Sequence, residues 1–225
     1  MDRRDFVRSS IAAAVLGIGA GAGIVRPLPR VAGVGNAPAT PDDAVEQLLA
    51  GNRRFAADQL TSIEADLKVL REHTVEKQRP FAAVLACADS RVPVELVFDQ
   101  TIGQIFVARV AGNIASPEII ASLEYGVAVL GIKALLVLGH TSCGAVKAAM
   151  KTDTVPGQIS ALYPHLRAAV KQSGGDVARA IALNAAMQAE LLRTASTVIR
   201  DATKAGTLKV VAAVYDLDSG KVAPC

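Results

Sequence analysis

The amino-acid sequence predicts one α/β domain, a central and mostly parallel sheet flanked by helices. Three observations carry that prediction. Short, almost wholly apolar runs at residues 81–87, 105–110 and 134–139 have the length and composition of strands covered on both faces. A helical pattern over residues 117–130, beginning after Ser116, separates the second run from the third. The chain has 225 residues and is 51% hydrophobic, enough for one sizeable core and too short for two full-sized domains plus a leader.

The first 39 residues form a segment of their own. Asp2-Arg3-Arg4-Asp5-Phe6-Val7-Arg8 precedes an apolar stretch from Ile11 to Val25 that four glycines interrupt: Gly17, Gly19, Gly21 and Gly23. At about 1.5 Å per residue this stretch falls short of the ~30 Å hydrocarbon core, so a permanent membrane span is not expected. A charged start, a short apolar run and later small residues are the layout of an export signal. The paired arginines resemble the twin-arginine type, which directs folded cargo to its translocase and so to the periplasm or beyond the cytoplasm. Cleavage is expected near Ala37-Pro38-Ala39, and the domain then covers residues 40–225.

Thr40-Pro41-Asp42-Asp43 has the chemistry of a helix start: a capping hydroxyl, proline in the first turn and acids at the positive end of the dipole. The apolar period runs on through Val45, Leu48, Leu49 and Phe55, and a second amphipathic stretch is expected over residues 60–78. Beyond the three apolar runs, an alanine-rich region predicts one long helix over about 176–204. A last strand follows at 208–217, and Asp218-Ser219-Gly220 makes the turn after it.

Charge excludes one class of partner. The formal net charge is +3, and residues 1–39 account for it with five arginines (Arg3, Arg4, Arg8, Arg26, Arg30) against Asp2 and Asp5. The domain itself is neutral and there is no Trp, so neither a basic surface nor base-stacking side chains point to nucleic acid.

Three residues point to a metal. Cys87 ends the first apolar run within Cys87-Ala88-Asp89-Ser90-Arg91, and His140 ends the third within Gly139-His140-Thr141-Ser142-Cys143-Gly144. Ligands of open α/β sheets gather at the carboxyl ends of strands, where both segments fall. Two thiolates and an imidazole suit Zn²⁺ with a fourth position left for water or substrate. Each cysteine alone would pass as a small buried hydrophobe. His73 lies in a charged stretch and reads as solvated, His165 after Pro164 as a helix-start or surface residue, and the terminal Cys225 as frayed.

Cys-x-Asp-Ser-Arg followed some fifty residues later by His-x-x-Cys resembles the signature of the β-class carbonic anhydrases. The resemblance extends from Gly51-Asn52-Arg53-Arg54-Phe55 to Val214-Tyr215-Asp216-Leu217. It implies that Cys87, His140 and Cys143 bind one zinc ion per subunit and that Asp89 and Arg91 form a catalytic dyad. The implied reaction is reversible hydration of carbon dioxide to bicarbonate and a proton by zinc-bound hydroxide. In the family the aspartate either accepts from the zinc-bound water while held by the arginine, or occupies the fourth zinc position in a closed state. By their spacing from the ligands, Gln78, Phe106, Ala111 and Tyr125 match positions that line the substrate pocket, some of them contributed by a neighbouring subunit, which implies at least a homodimer. Gly144 is expected to keep the backbone close to the site or to the following helix. The segment Arg109-Val110-Ala111-Gly112-Asn113 departs from the family's common Arg-Asn-x-Ala-Asn and leaves the pocket wall open to change.

Two thiolates cancel the formal charge of the ion, so its water is acidified less than by three neutral histidines, and the Asp89–Arg91 pair is the group expected to help. Two other functions fit the same ligands: hydrolysis of carbonyl sulfide or carbon disulfide, and non-catalytic zinc binding. A thiol redox role fails because no Cys-x-x-Cys is present.

Overall fold

The computed structural model describes residues 37–62, 77–151 and 155–225. The segment before residue 37, His73 and most of the amphipathic stretch expected over 60–78 lie outside these residues.

Helix α1 spans Pro41–Ala56 and starts as its sequence prescribes: Thr40 accepts from the Asp43 N–H while the Asp43 carboxylate accepts from the Thr40 N–H. Strand β1 is Ala82–Ala86, followed by the short helix α2, Val94–Val97, and strand β2, Ile105–Arg109. Helix α3, Pro117–Ala128, leads to strand β3, Ala134–His140, and helix α4, Gly144–Met150. A 3-10 turn, Ile159–Leu162, opens helix α5, Tyr163–Ser173. Helices α6 (Val177–Ala195) and α7 (Thr197–Lys204) precede strands β4 (Lys209–Tyr215) and β5 (Val222–Pro224). Among the described residues no helix is long and apolar enough to cross a membrane.

The sheet has the order β2-β1-β3-β4-β5, parallel except for the antiparallel β5. Every residue of β1 and β3 is buried, which is why these strands read as unbroken apolar runs. Alternate side chains serve different layers. Ala82, Val84, Leu136 and Leu138 join Leu48, Val97 and Phe98 on the α1 side. Ala83, Leu85, Leu135 and Val137 pack with Leu123, Ala185, Leu192 and Ile199 of α3, α6 and α7.

The motif at 51–55 has a packing reason. A Cβ at Gly51 would sit 1.7 Å from the Phe98 carbonyl oxygen, so only glycine lets α1 lie this close to the end of α2. The buried Asn52 then donates to the Val97 carbonyl (3.1 Å) and the Gly220 carbonyl (2.9 Å), and accepts from the Val222 N–H (2.8 Å).

Two expectations change. The long helix predicted over 176–204 is two helices, because Ser196 takes extended backbone and its Oγ caps α7 by accepting from the Ile199 N–H at 3.1 Å. The helical period continues through that break, so propensity alone does not reveal it. Cys225 is not frayed: its N–H donates to the Ala212 carbonyl at 3.1 Å, carrying the β4–β5 pairing to the last residue. The turn at 218–220 is present and joins that hairpin, with Gly220 at φ 71°. His165 sits in the first turn of α5, and its carbonyl accepts from Gln188.

Candidate metal centre

The order of strands sets the place. β2 lies on one side of β1 and β3 on the other, so the chain reverses its direction of winding between β1 and β3, where a crevice opens at their carboxyl ends. Cys87 follows β1 directly, His140 is the last residue of β3, and Cys143 precedes α4. Between the latter two, Ser142 turns the chain with φ 59°, a left-handed conformation that is uncommon outside glycine. The turn brings Cys143 back, and one ligand atom from each of Cys87, His140 and Cys143 lies within 4.8 Å of the others, all three residues being buried.

The residues fit a tetrahedral metal of the zinc type. The two sulfurs are 4.0 Å apart, far beyond a disulfide bond and near the ~3.8 Å that two 2.3 Å zinc–sulfur bonds would give. His140 Nδ1 lies 3.0 Å from the Thr141 carbonyl and donates to it, which leaves the Nε2 lone pair facing the sulfurs. That Nε2 is fully buried without a hydrogen-bond partner among the described residues, a costly state for a polar atom that a metal would relieve.

The sulfurs are poised differently. The Cys143 side chain, His140, and the N–H groups of Gly112 and Asp89 hold the Cys87 thiol down at about 4, against the opposing effect of burial. Cys143 is pushed up by its hydrogen bond to Cys87 and by burial, with the Val146 and Ala145 N–H groups at the start of α4 opposing. The two sulfurs lie in mutual hydrogen-bond contact at 4.0 Å, and a cation bound between them would displace their protons. Ile114, Val146, Leu166, Ala180 and Ile181 pack around the sulfurs and keep the surroundings apolar.

Asp89 borders this cluster. Among the described residues its side-chain hydrogen bonds all come from Arg91: Nε to Oδ1 at 2.9 Å, Nη2 to Oδ2 at 2.7 Å and the backbone N–H to Oδ1 at 3.0 Å. Arg91 holds the carboxyl well below the usual carboxylate range, and the remaining face of Oδ2 lies 3.8 Å from His140 Nε2. Of the two arrangements the resemblance allows, the carboxylate is in the one paired with arginine.

Sequence reasoning missed a residue here. Arg109, at the end of β2, donates from Nε to the Cys87 carbonyl (2.9 Å) and from Nη2 to the Asp89 carbonyl (2.6 Å), clamping the backbone between Cys87 and Asp89. The signal was its place at the carboxyl end of a strand beside β1. Phe106 and Tyr125 lie against each other, ring centroids 6.4 Å apart, with Tyr125 48% exposed. Gln78 is exposed and Ala111 half-buried. Gly144 opens α4, where a Cβ would meet nothing within 4 Å, so no packing among the described residues requires glycine there. Close approach belongs instead to Gly112, at φ 78°, whose Cβ would meet Ala145 and Leu166 at 3.3 Å.

The chain matches the carbonic anhydrase family over residues 82–222. A carbonic anhydrase of Mycolicibacterium smegmatis is 35% identical, the alignment covering 81% of this chain and 92% of that protein. One from Pseudomonas aeruginosa is 37% identical over 79% of this chain and 86% of its own length. The solved structure of a Coccomyxa β-carbonic anhydrase in complex with acetazolamide superposes with a TM-score of 0.64 at 28% identity, covering 80% of this chain and 85% of that one.

Proposed function

Since this chain belongs to the carbonic anhydrase family, we propose that it hydrates carbon dioxide reversibly to bicarbonate and a proton, using one zinc ion per subunit held by Cys87, His140 and Cys143. The observation that carries the proposal is the buried, unpartnered His140 Nε2 facing two cysteine sulfurs, with a free carboxylate face 3.8 Å away. When bound, zinc supplies Lewis acidity that brings the ionisation of water toward neutral pH. The protein does the rest. Thr141 fixes the tautomer of His140, and Arg109 fixes the backbone between Cys87 and Asp89. Asp89 accepts a hydrogen bond from the attacking water and aims its lone pair at the carbon of carbon dioxide. Because Arg91 keeps Asp89 so acidic, the carboxylate orients the water and does not retain its proton, which passes on to buffer. A storage or structural site has no use for such a pair, since Arg91 draws the carboxylate away from the metal position.

Gln78, Phe106, Ala111, Tyr125 and Gly144 are proposed to line the substrate's path. We further propose a homodimer or larger assembly, supported by Tyr125 on α3 and Val129 just beyond its end standing 48% and 64% exposed; sedimentation velocity showing a monomer at micromolar concentration would reject it. Residues 1–39 are proposed as a twin-arginine signal cleaved near 37–39, placing the enzyme outside the cytoplasm. Folded export would carry Cys87 and Cys143 across already protected by metal. Replacing Arg3 and Arg4 by lysine should then retain the precursor in the cytoplasm, and rerouting through an unfolded-export signal should lower zinc content. Equal export or equal zinc would contradict each.

The deciding experiment is stopped-flow hydration of carbon dioxide between pH 6.5 and 9 on protein of measured zinc content. Rapid hydration that requires zinc and rises with pH is expected. Full zinc occupancy without hydration at pH 9 would reject the proposal.

A further inference from the structure

Behind the metal cluster, α6 buries two side-chain amides that the mechanism above does not use. Asn184 and Gln188 are 1% and 3% exposed and one helical turn apart, on the side of α6 that meets the 112–115 loop and α5. Buried amides are costly unless bonded, and these are bonded in sequence. Gln188 Oε1 accepts from the Ala115 N–H at 2.9 Å, and its Nε2 donates to the His165 carbonyl and to Asn184 Oδ1, both at 3.1 Å. Asn184, its amide oriented by that contact, donates from Nδ2 to the Gly112 carbonyl at 2.8 Å. The N–H of Gly112 in turn points at Cys87 Sγ, 3.3 Å away. The helix is close enough to do this because β3 carries Gly139, where a Cβ would sit 3.2 Å from Ile181, one turn before Asn184.

We propose that Asn184 and Gln188 are positioning residues of the metal centre: they hold the 112–115 loop at Gly112 and Ala115 so that the Gly112 N–H stays on the Cys87 sulfur. The inference rests on the zinc reading. A hydrogen bond withdraws electron density from a ligating thiolate, so this pair tunes the sulfur that faces the metal and fixes its place. Nothing in the motif-bearing segments points to α6, since the contact spans 72 residues of sequence.

The test uses the full chain loaded with cobalt(II) in place of zinc. Thiolate-to-cobalt charge transfer in the near ultraviolet reports sulfur electron density directly. Asn184→Leu should shift that band to lower energy and weaken zinc binding about tenfold or more, measured by competition with a chelator. Gln188→Met, which leaves Asn184 without its orienting partner, should move both in the same direction by less. Leu192→Ala, on the same helix and fully buried, lowers thermal stability and should leave the band in place. Band position and zinc affinity unchanged in both amide variants would overturn the inference, whatever their melting temperatures. If Asn184→Leu does not fold, an unshifted Gln188→Met overturns it alone. A wild-type protein with no charge-transfer band would overturn the metal reading itself, a result distinct from an unshifted variant.

Discussion

Two aspartates, each paired with an arginine, occupy opposite situations in this molecule. Asp99 follows α2 at φ 47° with its side chain wholly buried. It accepts from Arg54 Nε, from the Thr61 N–H (2.8 Å) and hydroxyl (2.8 Å), and from the Ser62 N–H (2.9 Å). Every lone-pair direction is in use. Asp89 takes its three side-chain hydrogen bonds from a single residue two positions away and keeps one face open beside His140. Both carboxyls lie below the ordinary range, Asp99 because its four donors outweigh burial and Asp89 because of Arg91. A lowered pKa therefore does not distinguish structure from chemistry; unspent acceptor capacity does.

That distinction breaks most sharply by deletion. Asp89→Ala should cost about 10²–10⁴-fold in turnover while zinc content and melting temperature stay near wild type. Loss of zinc with loss of rate would place Asp89 among the structural aspartates. Asp99→Ala should do the reverse, destabilising by about 3 kcal/mol in urea unfolding because the Thr61 and Ser62 donors lose their acceptor, with the rate per folded molecule unchanged. A finer probe is Arg91→Lys, which forfeits the bidentate grip and should lower turnover about tenfold without altering zinc content. Thr61→Val removes one of the four donors to Asp99 and should cost about 1 kcal/mol of stability.

Acid offers a last contrast within the Asp99 site. Its folded pKa is depressed, so its contribution is complete above the unfolded value near 4 and is lost as pH falls through the lower folded value. The stability gap between wild type and Asp99→Asn should be constant from pH 7 to 5 and narrow below pH 4. A gap that narrows between pH 7 and 5 would mean that Asp99 is not held as its hydrogen bonds imply.

The sequence carries the sheet plainly and its cross-braces poorly. The strands of residues 82–86 and 134–140 are legible because burial on both faces leaves no polar alternation to confuse. The candidate metal cluster is legible because Cys87 and His140 fall at strand ends and Cys143 lies three residues beyond. What stays hidden is made at a distance. Asp99 meets Arg54 across 45 residues, and Arg109 meets the Cys87 carbonyl across 22. Ser196 breaks a helix through its own backbone and cap while the hydrophobic period continues, and Glu124 on α3 accepts its hydroxyl at 2.6 Å. Helix α5 carries its signals at both ends: Pro164 in its first turn and Gly174, at φ 66°, just past its last residue.

The Asn52 bridge has a consequence in time. Its partners Gly220 and Val222 lie 168 and 170 residues downstream. A chain made from its amino end cannot complete that bridge until the final hairpin has emerged, so the first helix of the domain is among the last pieces to lock.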